Sequence, residues 1–192
     1  PNDVAPGWLK RILDGDDRDH AIRFLTADEE IRFVDRVCGP QSANVAREVG
    51  DFVLRRRDGL WAYQLAVVVD DIAMEIDEVV RGNDLLDSAA RQIQLIEALG
   101  GTAPDYAHVP VMRNTSGDKL SKRDAALTME SVRSAGATAD QVTGYLAWSA
   151  GLLERPRSIR AAELIEGFDW SHVAQDDFTV SDDAIERIRA IA

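Results

Sequence analysis

Five consecutive residues, Lys119-Leu120-Ser121-Lys122-Arg123, place three cations together. The chain around them carries 22 basic and 34 acidic residues, a net charge of −12. The local field therefore opposes the global one. The cluster follows the apolar stretch His108-Val109-Pro110-Val111-Met112 and the polar loop Asn114 to Asp118. A cationic loop at the end of a strand can hold phosphates, with lysines as point charges and Ser121 as a hydrogen-bond donor. A solvated loop of surface lysines fits the same pattern. Arg81 closes a second pattern, Val79-Val80-Arg81-Gly82-Asn83-Asp84. An arginine directly after an apolar strand lies where open α/β sheets bind ligands, and its planar fork suits a carboxylate. A structural Arg81–Asp84 ion pair is the alternative. Tyr63 is a third candidate. If its segment is helical, Tyr63, Val67 and Asp70 share a face and the phenol can serve a polar ligand; otherwise it is a core tyrosine.

Other chemistry is thinner. Asp70-Asp71 has no third ligand close in sequence, so no metal site is expected. Arg55-Arg56-Arg57 is either a contact for a nucleic-acid backbone or a row of exposed arginines. His20, His108 and His172 are scattered, and each reads as structural. Cys38 is the only cysteine, which excludes an internal disulfide and points to a buried thiol.

The elements that must position these groups read as a mixture. Ala21–Leu25 and Ile31–Val37 alternate like strands, and the polar residues Thr26–Glu30 between them suit a hairpin. Gly39-Pro40 is expected to end that unit. Phe52–Arg57 reads as a strand closed by Asp58-Gly59, and Asp77–Arg81 as another. Tyr63–Met74 is ambiguous, since its valines favour strand while its length allows a buried helix. Ser88–Leu99 is helical, stopped by Gly100-Gly101, and His108–Met112 is a strand. Helices are expected at 125–135, 138–150, 159–166 and 181–191, and a short helix near Trp8–Leu13 precedes a loop at Asp14–Asp17. The alternation of strand and helix implies an α/β fold with a parallel core and a helical tail.

Composition narrows the class. The 192 residues are 45% hydrophobic and 29% charged, a globular balance. The acidic surplus, with a pI near 4.6, argues against a generalised electrostatic grip on nucleic acid but leaves room for a basic patch. The longest apolar runs are too short to span a bilayer, and the start is polar. A cytoplasmic location is the expectation.

The three patterns occur in a recognisable order. Gly39-Pro40-Gln41-Ser42, the stretch Arg47 to Asp71, and the stretch Val79 to Ile93 resemble the glutamyl-tRNA synthetase family of class I aminoacyl-tRNA synthetases. Lys119–Arg123 looks like the class I KMSKS signature in its KLSKR form. Asp58-Gly59 followed by Leu60-Trp61-Ala62, and Leu85-Leu86-Asp87-Ser88, are most like the compact glutamyl-Q tRNA(Asp) synthetase branch. The 69 residues after Arg123 agree with a branch that lacks anticodon-binding domains.

The resemblance implies the C-terminal part of a Rossmann catalytic domain. Residues 1–50 would be an acceptor-end insertion segment, 51–135 the second Rossmann half with the KLSKR loop, and 136–192 a helical subdomain. It makes Tyr63–Met74 a helix. It implies that Tyr63 and Arg81 bind glutamate, that Lys119, Leu120, Ser121, Lys122 and Arg123 bind ATP, and that Lys122 and Lys119 act in catalysis. Glutamate, ATP with its Mg²⁺, and tRNA, in this branch tRNA(Asp), would be the partners, with no membrane and a monomeric state. The departure is the first signature. No His-x-x-His or His-x-Gly-His occurs, and the cysteines of the branch's zinc site are absent. The expectation is either a fragment of a longer enzyme or a natural half-enzyme, inactive by itself. The alternative is an inactive synthetase-like module that binds tRNA or a protein.

Overall fold

A computed structural model of the chain describes residues 20–120 and 127–192. The short helix expected near Trp8–Leu13 with its following loop, the residues Ser121, Lys122 and Arg123, and the expected helix start at Ala125 lie outside the described residues. The chain forms two compact units. Of the described residues, one takes in those up to Phe33, Gln41–Asp77 and Asp87–Pro104; the other takes in Val34–Pro40, Glu78–Leu86 and those from Asp105 onward.

In the first unit, strand β1 (Ile22–Phe24) pairs antiparallel with β4 (Phe52–Arg55), in the register Phe24↔Phe52. The expected hairpin between β1 and the next strand does not form. Phe24 and Phe52 place their rings 5.3 Å apart, and the backbone N–H of Thr26 donates to Asp51 Oδ1 at 3.0 Å. The polar link is thus spent on holding the start of β4. After β4 comes a tight turn at Asp58-Gly59, where Gly59 takes φ +83°, a conformation that favours glycine. Helix α2 (Tyr63–Ala73) follows, settling the ambiguous segment as a helix. Its valines cost only tenths of a kcal/mol each, and burial of Val68 in this unit decides the matter. Because no glycine stops it, Glu75 takes the left-handed position at φ 55°, and Ile76 N–H reaches back to Asp71 O at 2.9 Å. Helix α3 (Leu86–Ala98) runs into this unit and stops at Gly100, φ 78°, where Gly101 N–H reaches Ile96 O. Polar side chains link α2 to α3: the half-buried Gln64 donates through Nε2 to Ser88 Oγ at 3.2 Å, and the buried Gln92 donates through Nε2 to Gln64 Oε1 at 2.9 Å.

A four-stranded sheet has the order β3-β2-β6-β5. Its members are β2 (Glu30–Asp35), β3 (Gly39–Asn44), β5 (Glu78–Gly82) and β6 (Asp105–Val109). β6 pairs in parallel with both β2 and β5. That parallel core is the α/β architecture expected from the sequence. Gly39-Pro40 opens β3 instead of ending the unit. Gly39 turns the chain at φ 73°, and Pro40, which has no N–H, sits at the start of an edge strand where no donor is needed. The four-residue helix α1 (Val45–Glu48), capped by Asn44, follows β3 and was not anticipated.

The predicted strand His108–Met112 is two strands. Pro110 cannot continue the ladder, so β6 ends at Val109 and β7 (Met112–Arg113) begins a new pairing with β8 (Phe178–Thr179). Helices α4 (Met129–Ser134), α5 (Ala139–Ser149) and α6 (Ala184–Arg189) make up the helical tail. Thr128 and Thr138 cap the first two through reciprocal side-chain bonds. The expected helix at 159–166 is only a 3-10 turn, Ala161–Leu164. The helix expected at 181–191 is the shorter α6, whose N-cap is Asp183, without a side-chain cap bond. Val132, Tyr145, Val180, Ala184, Ile188 and Ile191 form the core of this tail. At Gly144 a Cβ would lie 1.7 Å from the carbonyl oxygen of Arg157, so only glycine lets the 157 segment cross α5 this closely.

Candidate active site

Parallel pairing of β5 and β6 sets Arg81 opposite His108. Arg81 Nε donates to His108 Nε2 at 2.9 Å, and one terminal nitrogen donates to the carbonyl of Leu85 at 3.3 Å. The guanidinium carbon lies 5.4 Å from the centre of the Tyr106 ring, whose residue stands two before His108 on the same face of β6. His108 is fully buried and shares its other nitrogen with Asp35 at the end of β2: Nδ1 lies 2.6 Å from Asp35 Oδ2. Asp35, 1% exposed, also accepts backbone N–H bonds from Val37, Cys38 and His108. Burial by itself would raise its pKa. The donors from Cys38, the His108 ring and backbone, and Val37 outweigh burial and hold the carboxyl below its ordinary 3.8. Burial also raises the Cys38 thiol, with the Asp35 charge adding to the effect.

Within the Arg81 motif, Asp84 pairs with Lys119 Nζ. Lys119 belongs to an ordered hairpin rather than a loose loop. Asn114 N–H donates to Asp118 O, Leu120 N–H donates to Met112 O, and Arg113 bridges to Lys119 in antiparallel fashion. The turn is fixed by Asn114 Oδ1, which accepts from Ser116 and Asp118 N–H, and by Gly117 at φ 88°. Lys119 and Leu120 therefore follow a fixed path, and Leu120 packs on the tail's core. Beside them lies a cavity of about 470 Å³ whose lining includes Asn114, Leu120, Leu127, Asp182 and Glu186. Among the described residues its charged lining is Asp182 and Glu186.

Asp177 ties this region together. Its carboxylate accepts from Asn83 Nδ2 at 2.7 Å, Val111 N–H at 3.0 Å and Arg113 Nε at 2.6 Å. Burial works to raise its pKa, and these three donors, with the Arg113 charge, lower it overall.

Tyr63 opens α2 in the other unit, with its ring exposed. Asp70 and Asp71 lie on the same helix; among the described residues no group of three or more His, Cys, Asp or Glu could hold a metal ion. The arginine triplet is partly used locally. Arg55 Nε donates to Gly59 O and its guanidinium lies over Trp61, and Arg56 pairs with Asp58. His108, read from the sequence as structural, is buried and bonds directly to Arg81. Arg81 and His108 are 27 residues apart, and only parallel strand pairing brings them together. A linear motif carries no signal for it, nor for Asp35 or Asp177.

A model of the class I tRNA synthetases (E and Q) catalytic domain matches residues 11–186. The chain belongs to this family. It is 40% identical over 176 residues to a glutamyl-Q tRNA(Asp) synthetase of Symbiobacterium thermophilum, covering 92% of this chain and 54% of that protein. It is 52% identical over 126 residues to the glutamyl-Q tRNA(Asp) synthetase of Burkholderia cenocepacia, covering 66% and 39%. The chain thus spans about half the length of the curated relatives it matches. Its fold is similar to that of a glutamate tRNA ligase from Elizabethkingia meningosepticum solved in complex with its amino acid. The TM-score is 0.74 at 26% identity, covering 96% of this chain and 40% of that one. The mixed α/β architecture is therefore that of the family's catalytic domain. Among the described residues no helix is long and apolar enough to cross a membrane.

Proposed function

We propose that the enzyme to which this sequence contributes activates glutamate with ATP and transfers it to tRNA, with the queuosine base of tRNA(Asp) as acceptor. The observation that carries the reading is Arg81, fixed at the carboxyl end of a parallel strand by His108 and Leu85. A guanidinium so placed suits a carboxylate ligand, and the relatives' names supply glutamate. In this reading the glutamate carboxylate attacks the α-phosphate of ATP, forming glutamyl-adenylate and releasing pyrophosphate. Arg81 and Tyr63 orient glutamate. Lys122, with Lys119, Leu120, Ser121 and Arg123, holds the phosphates and offsets the charge that develops on them. Mg²⁺ arrives with ATP. Lys119 is held by Asp84, so it would have to exchange that carboxylate for phosphate. Residues 1–50, 51–135 and 136–192 act as acceptor-end segment, second Rossmann half and helical subdomain. The location is cytoplasmic and the protein is a monomer.

The missing first signature favours a second reading for these 192 residues alone: a module that binds tRNA or a protein without catalysis. Glutamate-dependent ATP–pyrophosphate exchange separates the two. The 192-residue chain should show none, and the product of its complete reading frame should show exchange if that frame supplies a HIGH signature. A complete product with that signature that binds ATP yet shows no glutamate-dependent exchange would sink the first reading.

A further inference from the structure

The three groups Asp35, His108 and Arg81 form a single hydrogen-bonded row inside one unit of the fold. An arginine nitrogen can only donate. His108 Nε2 must therefore accept from Arg81 Nε, and the ring's one proton must sit on Nδ1, facing Asp35. The carboxylate fixes that choice, because Oδ2 is 2.6 Å from Nδ1 and can only accept. Its other oxygen, Oδ1, is held by the backbone N–H groups of Val37 and Cys38 at 3.0 and 2.8 Å, so the carboxylate cannot rotate. The ring is also stacked on Tyr106, with centroids 5.8 Å apart. His108 thus presents a lone pair, in one direction only, to the Nε edge of the guanidinium. Fixing that edge fixes the plane of the fork and the aim of its two terminal nitrogens.

We propose that Asp35 and His108 are positioning residues that lock the Arg81 fork in the orientation required to bind the substrate carboxylate. The inference rests on Arg81 as the glutamate-binding arginine. It makes a specific statement about Asp35→Asn. With Oδ1 kept by the backbone N–H groups of Val37, Cys38 and His108, the new amide nitrogen takes the Oδ2 position, gives up that oxygen's second contact with the His108 N–H at 3.1 Å, and donates to His108 Nδ1. The ring proton then moves to Nε2 and meets Arg81 Nε donor against donor. An Asp-to-Asn change in a catalytic Asp–His pair produces the wrong tautomer in the same way. The volume of the side chain is unchanged, while the fork is expelled.

Two measurements test this. In the folded chain, ¹⁵N spectra of the imidazoles should show His108 neutral, with a protonated Nδ1 and a bare Nε2; Asp35→Asn should exchange the two. In the enzyme expressed from its complete reading frame, Asp35→Asn and His108→Phe should raise KM for glutamate at least tenfold, with KM for ATP within about twofold. His108→Gln, whose amide oxygen can accept from Arg81 Nε, should stay within about threefold of the parent. An Nε2-protonated or doubly protonated His108 in the parent overturns the inference even if no variant folds. So does an unchanged glutamate KM in a folded Asp35→Asn when Arg81→Ala raises it. An unchanged glutamate KM in Arg81→Ala instead removes the glutamate role of Arg81, on which the inference stands.

Discussion

Replacing Arg81 by alanine should produce two separable losses. From the sequence motif alone, the residue is a ligand contact whose removal leaves folding untouched. The structure predicts otherwise. His108 is fully buried, and Arg81 donates to its Nε2 at 2.9 Å. Stripping a buried acceptor of its donor costs about 1–3 kcal/mol, toward the lower end where water enters the space left behind. For a chain of this size each kcal/mol lowers Tm by about 2–4 °C, so the mutant should melt roughly 2–12 °C below the parent. The second loss is in the complete enzyme. A fork bonded to a carboxylate is worth about 2–4 kcal/mol, and each 1.4 kcal/mol is tenfold. Glutamate should therefore bind or react about 30- to 1,000-fold less well. Arg81→Lys keeps the charge but not the fork, and should recover only part of either loss. Thermal melting by circular dichroism reads the first quantity, and kcat/KM for glutamate in pyrophosphate exchange reads the second. A mutant that melts within 1 °C of the parent and keeps glutamate kcat/KM within threefold would show that Arg81 supports neither His108 nor a carboxylate.

In the complete enzyme Lys122→Ala should slow adenylate formation about 10²-fold or more with little change in KM, whereas Lys119→Ala should cost less; equal rates for Lys122→Ala and parent in single-turnover assays would remove the phosphate role. Gly144→Ala should destabilise the protein by about 2–4 kcal/mol, because its Cβ would stand 1.7 Å from Arg157 O and force backbone apart; a Tm equal to the parent's would show that the crossing yields freely. Asp35 and Asp177 are both held below the ordinary 3.8, so the unfolded chain takes up protons first as the pH falls. Their stabilisation is complete above about pH 4 and is lost on acidification below it; Asp177→Asn should flatten that acid limb in melts between about pH 2 and 5, and an unchanged slope would contradict the shift.

What could be read from the sequence followed from local signals. The glycine stop of α3, the turn at Asp58-Gly59 and the parallel strands around Arg81 were legible because turn chemistry and periodicity are short-range. The KLSKR stretch reads from the sequence as a cationic loop, yet the ordered hairpin that leads into it depends on Asn114 Oδ1 and Gly117, which read only as a polar loop. Three kinds of feature were hidden. Pairing partners were hidden, since the alternation of β1 fits β4 as well as its neighbour. Interruptions by a missing donor were underweighted, as at Pro110. Above all, the groups behind Arg81 were hidden, because Asp35 and His108 lie 73 residues apart and meet only when β2 and β6 pair.

The carboxylate of Asp177 has a consequence for how the protein is made. It meets Asn83 and Arg113 across 94 and 64 residues of sequence, and β8 beside it completes the pairing of β7. During synthesis the Arg81 strand and the hairpin that carries Lys119 are made well before this partner exists. At roughly 5–20 residues per second, the wait from Arg113 is about 3–13 s. Over that interval Asn83 and Arg113 lack their shared acceptor, and the edge of β7 that will meet β8 is open to solvent, chaperones or another chain. Maturation of this region is therefore governed by translation speed through the helical tail. Slow codons that delay the emergence of Asp177 after Arg113 has left the ribosome would lengthen the vulnerable period.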